Sequence, residues 1–453
     1  MPRLSVIMIV RNEAHCLGEC LESIAAIADE IVVADTGSTD NTCAIAEAHG
    51  ARVFFFEWVD DFAAARNATI RHATGEWLLH MDADEVVAPE DARRIRAFVD
   101  RDGEGADALE LILANYCDEP RAWRWQPADP ASPWRRGRSG YLPVPLLRLF
   151  RNGQGFEYRE PVHENITESL LERGGRIASS DIVIHHYGYG QAGGRGAAKA
   201  QRYLAIARRK AAARPQDVKA QHDLAEQALA CGDIEEAESA ARQALAIAPD
   251  HLPAITTLAN LLLLRGDTAG ARVLLEAVIG RLEAPPHLLT ALGTIDLHDG
   301  YWDSARQRFT QALQISPGNV LTTLYYARLL DLEGHTAAAR ETLDQVRRRV
   351  PGLEEIAARI EAIDARQRGE RQFAEEKLRD ALATFVAALR LDAEDPQLHN
   401  DLGVVLHALG EPEKAGSCFR RAIQLMPAFD PARDNLKALD RLSGESGLDS
   451  PRE

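Results

Sequence analysis

The sequence lacks the features of a secreted, membrane-spanning or nucleic-acid-binding protein. Its six cysteines include no CxxC pair, which favours reduced thiols and a cytoplasmic location. No apolar run reaches the ~18 residues of a membrane span, and the run after the first three residues is too short for a signal peptide. The formal net charge of -17 argues against a nucleic-acid or anionic-membrane partner. We therefore expect a cytoplasmic protein with no transmembrane segment and no nucleic-acid partner.

The N-terminal part of the chain alternates short apolar runs with segments of helical period. The runs that predict strands are residues 4–10, 30–34, 52–58 and 76–81, followed by 146–150, 156–158 and 177–184. This alternation predicts a mostly parallel, doubly wound, Rossmann-like α/β sheet over residues 1–190. The pattern fails over residues 116–145, which we interpret as a long irregular insertion.

Polar clusters follow three of the predicted strands, at the carboxyl ends where ligands bind in doubly wound sheets. They are Arg11–Glu13, Asp35–Asp40 and Asp82–Asp84. Asp82 and Asp84 offer two hard carboxylate ligands, which suits a divalent cation that also holds a diphosphate. The alternative is that they cap a helix beginning near Pro89. A second Asp-x-Asp, formed by Asp100 and Asp102, has no strand before it, and we interpret it as a solvated loop.

The C-terminal part of the chain is rich in alanine and leucine and repeats in a 34-residue register. Four glycines each precede a proline by 17 residues, and the pairs are Gly232 and Pro249, Gly300 and Pro317, Gly334 and Pro351, and Gly410 and Pro427. The units resemble tetratricopeptide repeats, which are helical hairpins that stack into a solenoid. The 76 residues from Pro351 to Pro427 indicate one enlarged or degenerate unit. We predict a hinge and first helix over residues 191–215, an all-α repeat domain over 216–442 and a disordered tail over 443–453.

Four segments of the N-terminal part together resemble the family 2 glycosyltransferases with the GT-A fold. They are Ser5–Glu13 (SVIMIVRNE), Asp29–Thr42 (DEIVVADTGSTDNT), Arg66–Asn67 and Gly75–Glu85 (GEWLLHMDADE). The chain is similar above all to the subset with a tetratricopeptide tail, which includes bacterial peptide S-glycosyltransferases. It resembles the lipopolysaccharide-core glucosyltransferases more distantly. The resemblance implies a nucleotide-diphospho-sugar transferase domain followed by the repeats.

The resemblance assigns a group of residues to the nucleotide sugar. They are Arg11, Asn12, Glu13, Asp35, Ser38, Arg66, Asn67 and Asp82. Asp35 is expected to accept a hydrogen bond from the base, since a carboxylate accepts strongly from a planar imide N–H. The alternative for Asp35 and Ser38 is a turn and helix start. The alternative for Arg66 is an ordinary surface arginine.

The resemblance also implies a divalent metal cofactor, Mg²⁺ or Mn²⁺. Asp84, and less directly Asp82, would hold the ion against the diphosphate. In many GT-A enzymes a late histidine completes the metal site, and here His185 is slightly preferred over His186. Adjacent strand residues point to opposite faces, so at most one of the two imidazoles is expected to reach the metal. The alternative is a structural histidine.

Transfer with inversion needs a general base on the face of the sugar opposite the leaving group. Glu164 in a Val-His-Glu sequence is our candidate, with His163 second; the alternative is a carboxylate at a helix start. The Gly188–Gly193 pattern matches a dinucleotide motif, but no βαβ unit follows it, so we interpret it as a hinge or lid. The insertion holds three tryptophans that are suited either to stacking on a sugar or peptide or to an ordinary surface loop, namely Trp123, Trp125 and Trp134.

Together these features predict an inverting, metal-dependent glycosyltransferase. It would move a hexose from a nucleotide-diphosphate sugar, expected to be a UDP-sugar, to a peptide, protein or glycan acceptor recruited by the repeats. The alternative is a tetratricopeptide interaction scaffold with an inactive glycosyltransferase-like domain. Nucleotidyl transfer is a further alternative, but the sequence has no glycine-rich basic phosphate loop near the first strand.

Overall fold

The computed structural model describes residues 3–120, 122, 124–188, 194–280, 285–350 and 353–445. The chain divides into two compact units, Met1–Leu261 and Leu262–Glu453. The first unit contains a mixed β-sheet and the first helices of the repeat region. The second contains the remaining helices.

The sheet of the first unit is formed by nine strands among the described residues. Their bounds are β1 (Leu4–Val10), β2 (Glu30–Asp35), β3 (Arg52–Phe55), β4 (Trp77–His80), β5 (Glu85–Val87), β6 (Ala108–Cys117), β7 (Gln126–Pro127), β8 (Gly140–Arg151) and β9 (Ile177–His186). The helices between them are α1 (Leu17–Ile24), α2 (Thr42–Ala48), α3 (Phe62–His72), α4 (Pro89–Asp100) and α5 (Thr167–Glu172).

The strand order is β3-β2-β1-β4-β8-β6-β9-β5, and β7 pairs with β8. The first four strands in this order are parallel, so the carboxyl ends of β1, β2 and β4 lie at one edge of the sheet. The other half is mixed, because β8 is antiparallel to both β4 and β6. The predicted α/β sheet domain is confirmed, but the sheet is mixed rather than mostly parallel, and its parallel half positions the polar clusters together.

The sheet is buried on both faces, which explains the continuous apolar sequence of β1. Val6 and Met8 pack on one side against α1 and α4, whereas Ile7 faces the opposite side toward Phe150 and α3. Alternate residues of one strand thus belong to two separate cores.

Two predictions about this unit are wrong in detail. Residues 156–158 are not a strand: the side-chain amide of Asn67 bonds the backbone N–H and C=O of Tyr158, at 2.8 Å each, in place of a strand ladder. The predicted insertion 116–145 has strands at both ends, because β6 and β8 form an antiparallel pair around an irregular connection. Arg121 and Trp123 lie outside the described residues.

The repeat region is helical, as predicted. Its helices are α6 (Gly194–Ala213), α7 (Val218–Ala230), α8 (Ile234–Ile247), α9 (Leu252–Leu264), α10 (Thr268–Ile279), α11 (Pro286–Asp299), α12 (Trp302–Ile315), α13 (Val320–Leu332), α14 (Thr336–Arg349), α15 (Glu354–Ala374), α16 (Leu378–Leu391), α17 (Pro396–Ala408), α18 (Pro412–Leu425) and α19 (Asp430–Glu445). Residues 443–445 of the predicted tail therefore belong to α19, and residues 446–453 lie outside the described residues.

The glycines of the predicted register end the first helix of each hairpin. Gly232, Gly300, Gly334 and Gly410 have φ of 78°, 87°, 82° and 80°, the left-handed region that glycine adopts without strain. The enlarged unit contains α15, which has 21 residues where α13 has 13. The extra eight residues of the sequence thus lengthen a helix.

Two further features concern the environment of the protein. All six cysteines are free thiols. Among the described residues, no helix combines the length and the apolar character needed to span a membrane.

Candidate active site

A cleft of about 750 Å³ opens at the carboxyl ends of β1 and β4 in the first unit. Seven of the residues singled out in the sequence line it, namely Arg11, Glu13, Arg66, Asp82, Asp84, His163 and Glu164. The fold thus brings together residues that are up to 153 positions apart in the sequence, from Arg11 to Glu164. The cleft is also lined by His186, Trp58, Phe62, Arg202 and Tyr203.

Asp82 is held between two arginines. Its Oδ1 accepts from Arg66 Nη2 at 3.1 Å, and its Oδ2 accepts from Arg148 Nη2 at 3.2 Å. Burial opposes ionisation of Asp82, yet the two guanidinium groups hold its pKa well below the ordinary value. Its negative charge is therefore already compensated by the protein.

Asp84 has a different environment, although it belongs to the same motif. Its side chain is 31% exposed to the cleft, and Oδ2 lies 3.3 Å from Nε2 of His186. Asn115 Oδ1 accepts from His186 Nδ1 at 2.6 Å, which orients the ring and leaves Nε2 toward Asp84. Burial disfavours the imidazolium, but Asp84 raises the pKa of His186 above its ordinary value.

Gly188 packs directly against this pair. A Cβ at position 188 would collide with Oδ2 of Asp84 and lie 2.9 Å from Nε2 of His186. The backbone thus approaches the carboxylate as closely as only glycine allows. Residues 189–193 of the predicted hinge or lid lie outside the described residues.

The structure places His186, and not the slightly preferred His185, beside Asp84. His185 lies on the other face of β9, where Nδ1 is hydrogen-bonded to the hydroxyl of Tyr116 at 3.0 Å. Its ring stacks on Trp134 with centroids 4.9 Å apart, and burial lowers its pKa to about 4. His185 is thus a neutral member of an aromatic cluster, and only one of the two histidines faces the acidic pair, as strand alternation requires.

Three buried residues that were not predicted from the sequence contact Asp82, namely His80, Glu85 and Arg148. Glu85 Oε1 accepts from Arg148 Nη2 at 2.6 Å, and burial raises the pKa of Glu85 to about 7. His80 contacts both Arg66 and Arg148, and burial together with these two cations keeps its pKa well below the ordinary value. A signal was present in the sequence, because Arg148 is a lone charge inside an apolar strand.

Glu164 lies at the cleft and accepts from Arg66 Nε at 2.6 Å. It does not cap a helix, since α5 begins at Thr167 with Ile166 as its N-cap. The segment that carries it contains two non-glycine residues with positive φ, Glu160 at 77° and His163 at 56°. His163 is bonded by the amide of Gln227 at 3.0 Å.

Side-chain hydrogen bonds join the loops after β1 and β2. The carboxylate of Asp35 accepts from the backbone N–H of Ser38 at 3.0 Å, so the predicted turn role is present. Ser38 Oγ accepts from the N–H of Asn12 at 2.9 Å, and Asn12 Oδ1 accepts from the N–H of Thr39 at 2.7 Å. Asn67 instead holds the backbone of Tyr158 and is not among the residues that line the cleft.

The fold and the site define an α/β nucleotide-sugar transferase joined to a helical repeat region. Comparison with known families gives the same two parts: residues 5–164 match glycosyl transferase family 2, and residues 228–292, 297–361 and 396–429 match tetratricopeptide repeats. A TPR repeat-containing protein of Synechococcus elongatus is 30% identical over 93% of this chain and 92% of its own length.

The chain is also similar to shorter parts of other proteins. Glycosyltransferase SunS of the Bacillus subtilis SPbeta prophage is 27% identical over 42% of this chain and 40% of its own. A glucosyl-3-phosphoglycerate synthase of Mycobacterium tuberculosis, solved with Mn²⁺, UDP and glucosyl-3-phosphoglycerate, covers 46% of this chain and 78% of its own with 16% identity and a TM-score of 0.32. The chain belongs to the family 2 glycosyltransferases that carry tetratricopeptide repeats, and it is a glycosyltransferase.

Proposed function

We propose that the protein is an inverting, metal-dependent hexosyltransferase that uses a UDP-sugar and acts on a peptide or glycan acceptor recruited by the repeats. The observation that carries the proposal is the shared cleft of Asp84, His186, Arg66 and Glu164. It combines a place for a cation, compensating charge for phosphates and a base. The cytoplasmic location stays a prediction.

The residues at Asp84 suit Mn²⁺ or Mg²⁺. Asp84 offers a carboxylate oxygen open to the cleft, and His186 offers Nε2, which Asn115 orients from behind. A nitrogen donor beside oxygen favours Mn²⁺ over Mg²⁺, which prefers oxygen and water. When bound, the ion supplies charge neutralisation of the leaving diphosphate. Asp82 would act indirectly, since its oxygens are committed to Arg66 and Arg148.

Glu164 is the proposed base. As a carboxylate paired with Arg66, it is an acceptor for the proton of an attacking hydroxyl or thiol. Arg66 also contacts Asp82, so one guanidinium connects the base to the donor side of the cleft. A thiol needs less assistance from a base than a hydroxyl does, because the ordinary pKa of a thiol is ~8.5.

The test is a panel of UDP- and GDP-sugars with Mn²⁺, read by nucleotide release and by thermal shift. We expect a UDP-sugar to give both signals and Asp84→Asn to lower the rate by at least about 100-fold, which corresponds to roughly 3 kcal/mol. Asp102→Asn is the matched control, since that residue belongs to the second Asp-x-Asp and is bonded to Arg151 on the surface. If no nucleotide sugar binds, or if both variants behave alike, the inactive scaffold becomes the better description.

A further inference from the structure

The cleft extends beyond the part of the chain that matches the glycosyltransferase family. Arg202 and Tyr203 line it together with Asp84 and Glu164, yet both belong to α6, which begins 30 residues after the matched segment ends at 164. Trp58 and Phe62 line the same side. We call these four residues the aromatic wall.

The aromatic wall is a connected set of half-buried side chains. Trp58 and Phe62 meet edge to face with ring centroids 4.7 Å apart, and Phe62 meets Tyr203 in the same manner at 5.6 Å. The guanidinium of Arg202 lies 4.8 Å from the centre of the Trp58 ring. Asp60 Oδ1 accepts from Arg202 Nη2 and from Trp58 Nε1, at 2.8 Å each. Ring faces and a charge pair are thus fixed side by side.

Helix α6 is anchored to the segment that carries the proposed base. Lys210 is buried, and its Nζ lies 2.6 Å from Glu160 and 2.7 Å from Asp223. Arg214 pairs with Glu160 at 2.7 Å. The N–H of Phe62 donates to the carbonyl of Pro161 at 3.0 Å. The aromatic wall and Glu164 therefore have a fixed relation within this unit.

We propose that the aromatic wall is the acceptor subsite and that it receives a sugar ring, a proposal that rests on the function proposed above. A base must lie within hydrogen-bond reach of the attacking group, so the acceptor binds next to Glu164, and the aromatic wall occupies the same cleft. Aromatic side chains pack against the C–H face of a pyranose, while the guanidinium of Arg202, which lines the cleft, offers N–H donors for its hydroxyls.

The size of the cleft also favours a sugar over an extended peptide. Peptides bind by adding a strand to a sheet edge, by a helix in a groove or by proline-rich contact with aromatic grooves, each over several residues. The cleft volume of about 750 Å³ falls in the range of small-molecule sites, and the donor must share it. One sugar ring of an acceptor glycan is small enough to occupy the cleft beside the donor.

The experiment is saturation-transfer NMR on the full chain loaded with UDP and the diamagnetic ion Mg²⁺, with methyl glycosides of glucose, galactose and N-acetylglucosamine as probes. We expect saturation of ring C–H protons in at least one glycoside. Tyr203→Ala and Trp58→Ala should weaken its binding about fivefold to tenfold each. Tyr301→Ala is the control, because Tyr301 is an exposed tyrosine whose ring centre lies 5.2 Å from the guanidinium of Arg272 and which belongs to the other unit.

Donor binding separates the possible failures. If UDP still shifts the thermal transition of the two variants while glycoside binding falls, the acceptor subsite is supported. If UDP binds but no glycoside does, or if the variants bind glycosides as well as the unchanged chain, the acceptor proposal is overturned and the donor function stands. If UDP itself does not bind the unchanged chain, both proposals fail.

Discussion

At the scale of single residues, the two carboxylates of one motif have different tasks because their neighbours differ. Asp82 is neutralised by Arg66 and Arg148, whereas Asp84 faces the cleft and His186. Both aspartates lie on the loop that follows β4. Because Arg148 of β8 pairs with Asp82, Asp84 is the carboxylate that remains open to a ligand. The Asp-x-Asp pattern in the sequence does not by itself distinguish the two residues.

The first prediction at this scale concerns the two adjacent histidines. His186→Gln should raise the Mn²⁺ concentration for half-maximal activity by at least about tenfold, because a candidate ligand beside Asp84 is lost. His185→Gln should leave that concentration unchanged and lower the thermal midpoint, since it removes the contacts with Tyr116 and Trp134. A metal titration of activity distinguishes them. The reverse pattern would restore His185 as the ligand.

The second prediction concerns the base. Glu164→Gln keeps the shape of the side chain but cannot take a proton, so kcat should fall about 100-fold or more while UDP binding is retained. Glu168→Gln, an exposed carboxylate four residues further on, should change neither quantity. Steady-state kinetics and thermal shift with UDP measure the two effects. Full activity of Glu164→Gln together with loss in His163→Gln would move the role to His163.

At the scale of elements, the repeats show which sequence signals are sufficient by themselves. Three helices of the repeat region carry a glycine where the partner helix presents a phenylalanine. A Cβ on Gly293, Gly369 or Gly403 would lie 2.7, 2.8 or 2.5 Å from the ring of Phe309, Phe385 or Phe419 respectively. The period and the small positions follow from local packing within one hairpin, so they can be read from the chain.

The third prediction tests this contact. Gly403→Val should destabilise the chain by about 1–3 kcal/mol, since Phe419 is buried and cannot move aside without leaving a gap. Gly280→Ala is the control, because among the described residues its added Cβ would meet only the carbonyl of Glu276, at 3.6 Å. Denaturant unfolding of the two variants gives the comparison. Equal stability would mean that the hairpin interior adapts more freely than the packing indicates.

The sheet domain shows what sequence signals miss. The four parallel strands and the polar clusters at their ends could be predicted, because apolar runs and strand ends are local patterns. Three other features were not predicted, because each depends on pairing between distant segments. They are strand β6, the irregular structure of residues 156–158 and the ion pair of Asp82 with Arg148. The choice between His185 and His186 depends on which face of β9 packs against the aromatic cluster, which no single segment encodes.

At the scale of the whole molecule, the boundary between compact units differs from the one that the repeat pattern suggests. The pattern places the start of the repeat domain at residue 216, whereas the compact units divide after Leu261. The reason is that Lys210 of α6 pairs with Glu160 and with Asp223 of α7, while Gln227 of α7 is hydrogen-bonded to His163. The first repeat helices are therefore structural members of the transferase unit.

The fourth prediction follows from this division. A chain truncated after residue 190 loses Lys210 and Arg214, the partners of Glu160, and exposes the surface of the sheet domain that α6 covers, including Phe62. We expect it to unfold at lower temperature and to bind UDP weakly or not at all. A chain truncated after Leu261 should keep UDP binding. If the shorter chain binds UDP as well as the longer one, the contacts of α6 are dispensable for the donor site.

The close approach of Gly188 to Asp84 has a consequence for the tolerance of this enzyme to change. In a saturation mutagenesis library selected for turnover, position 188 should be depleted of every residue except glycine, since even a methyl group would displace the carboxylate. A residue that need not touch either substrate would thus be as restricted as a catalytic one. Such intolerance would arise from crowding around the carboxylate rather than from chemistry.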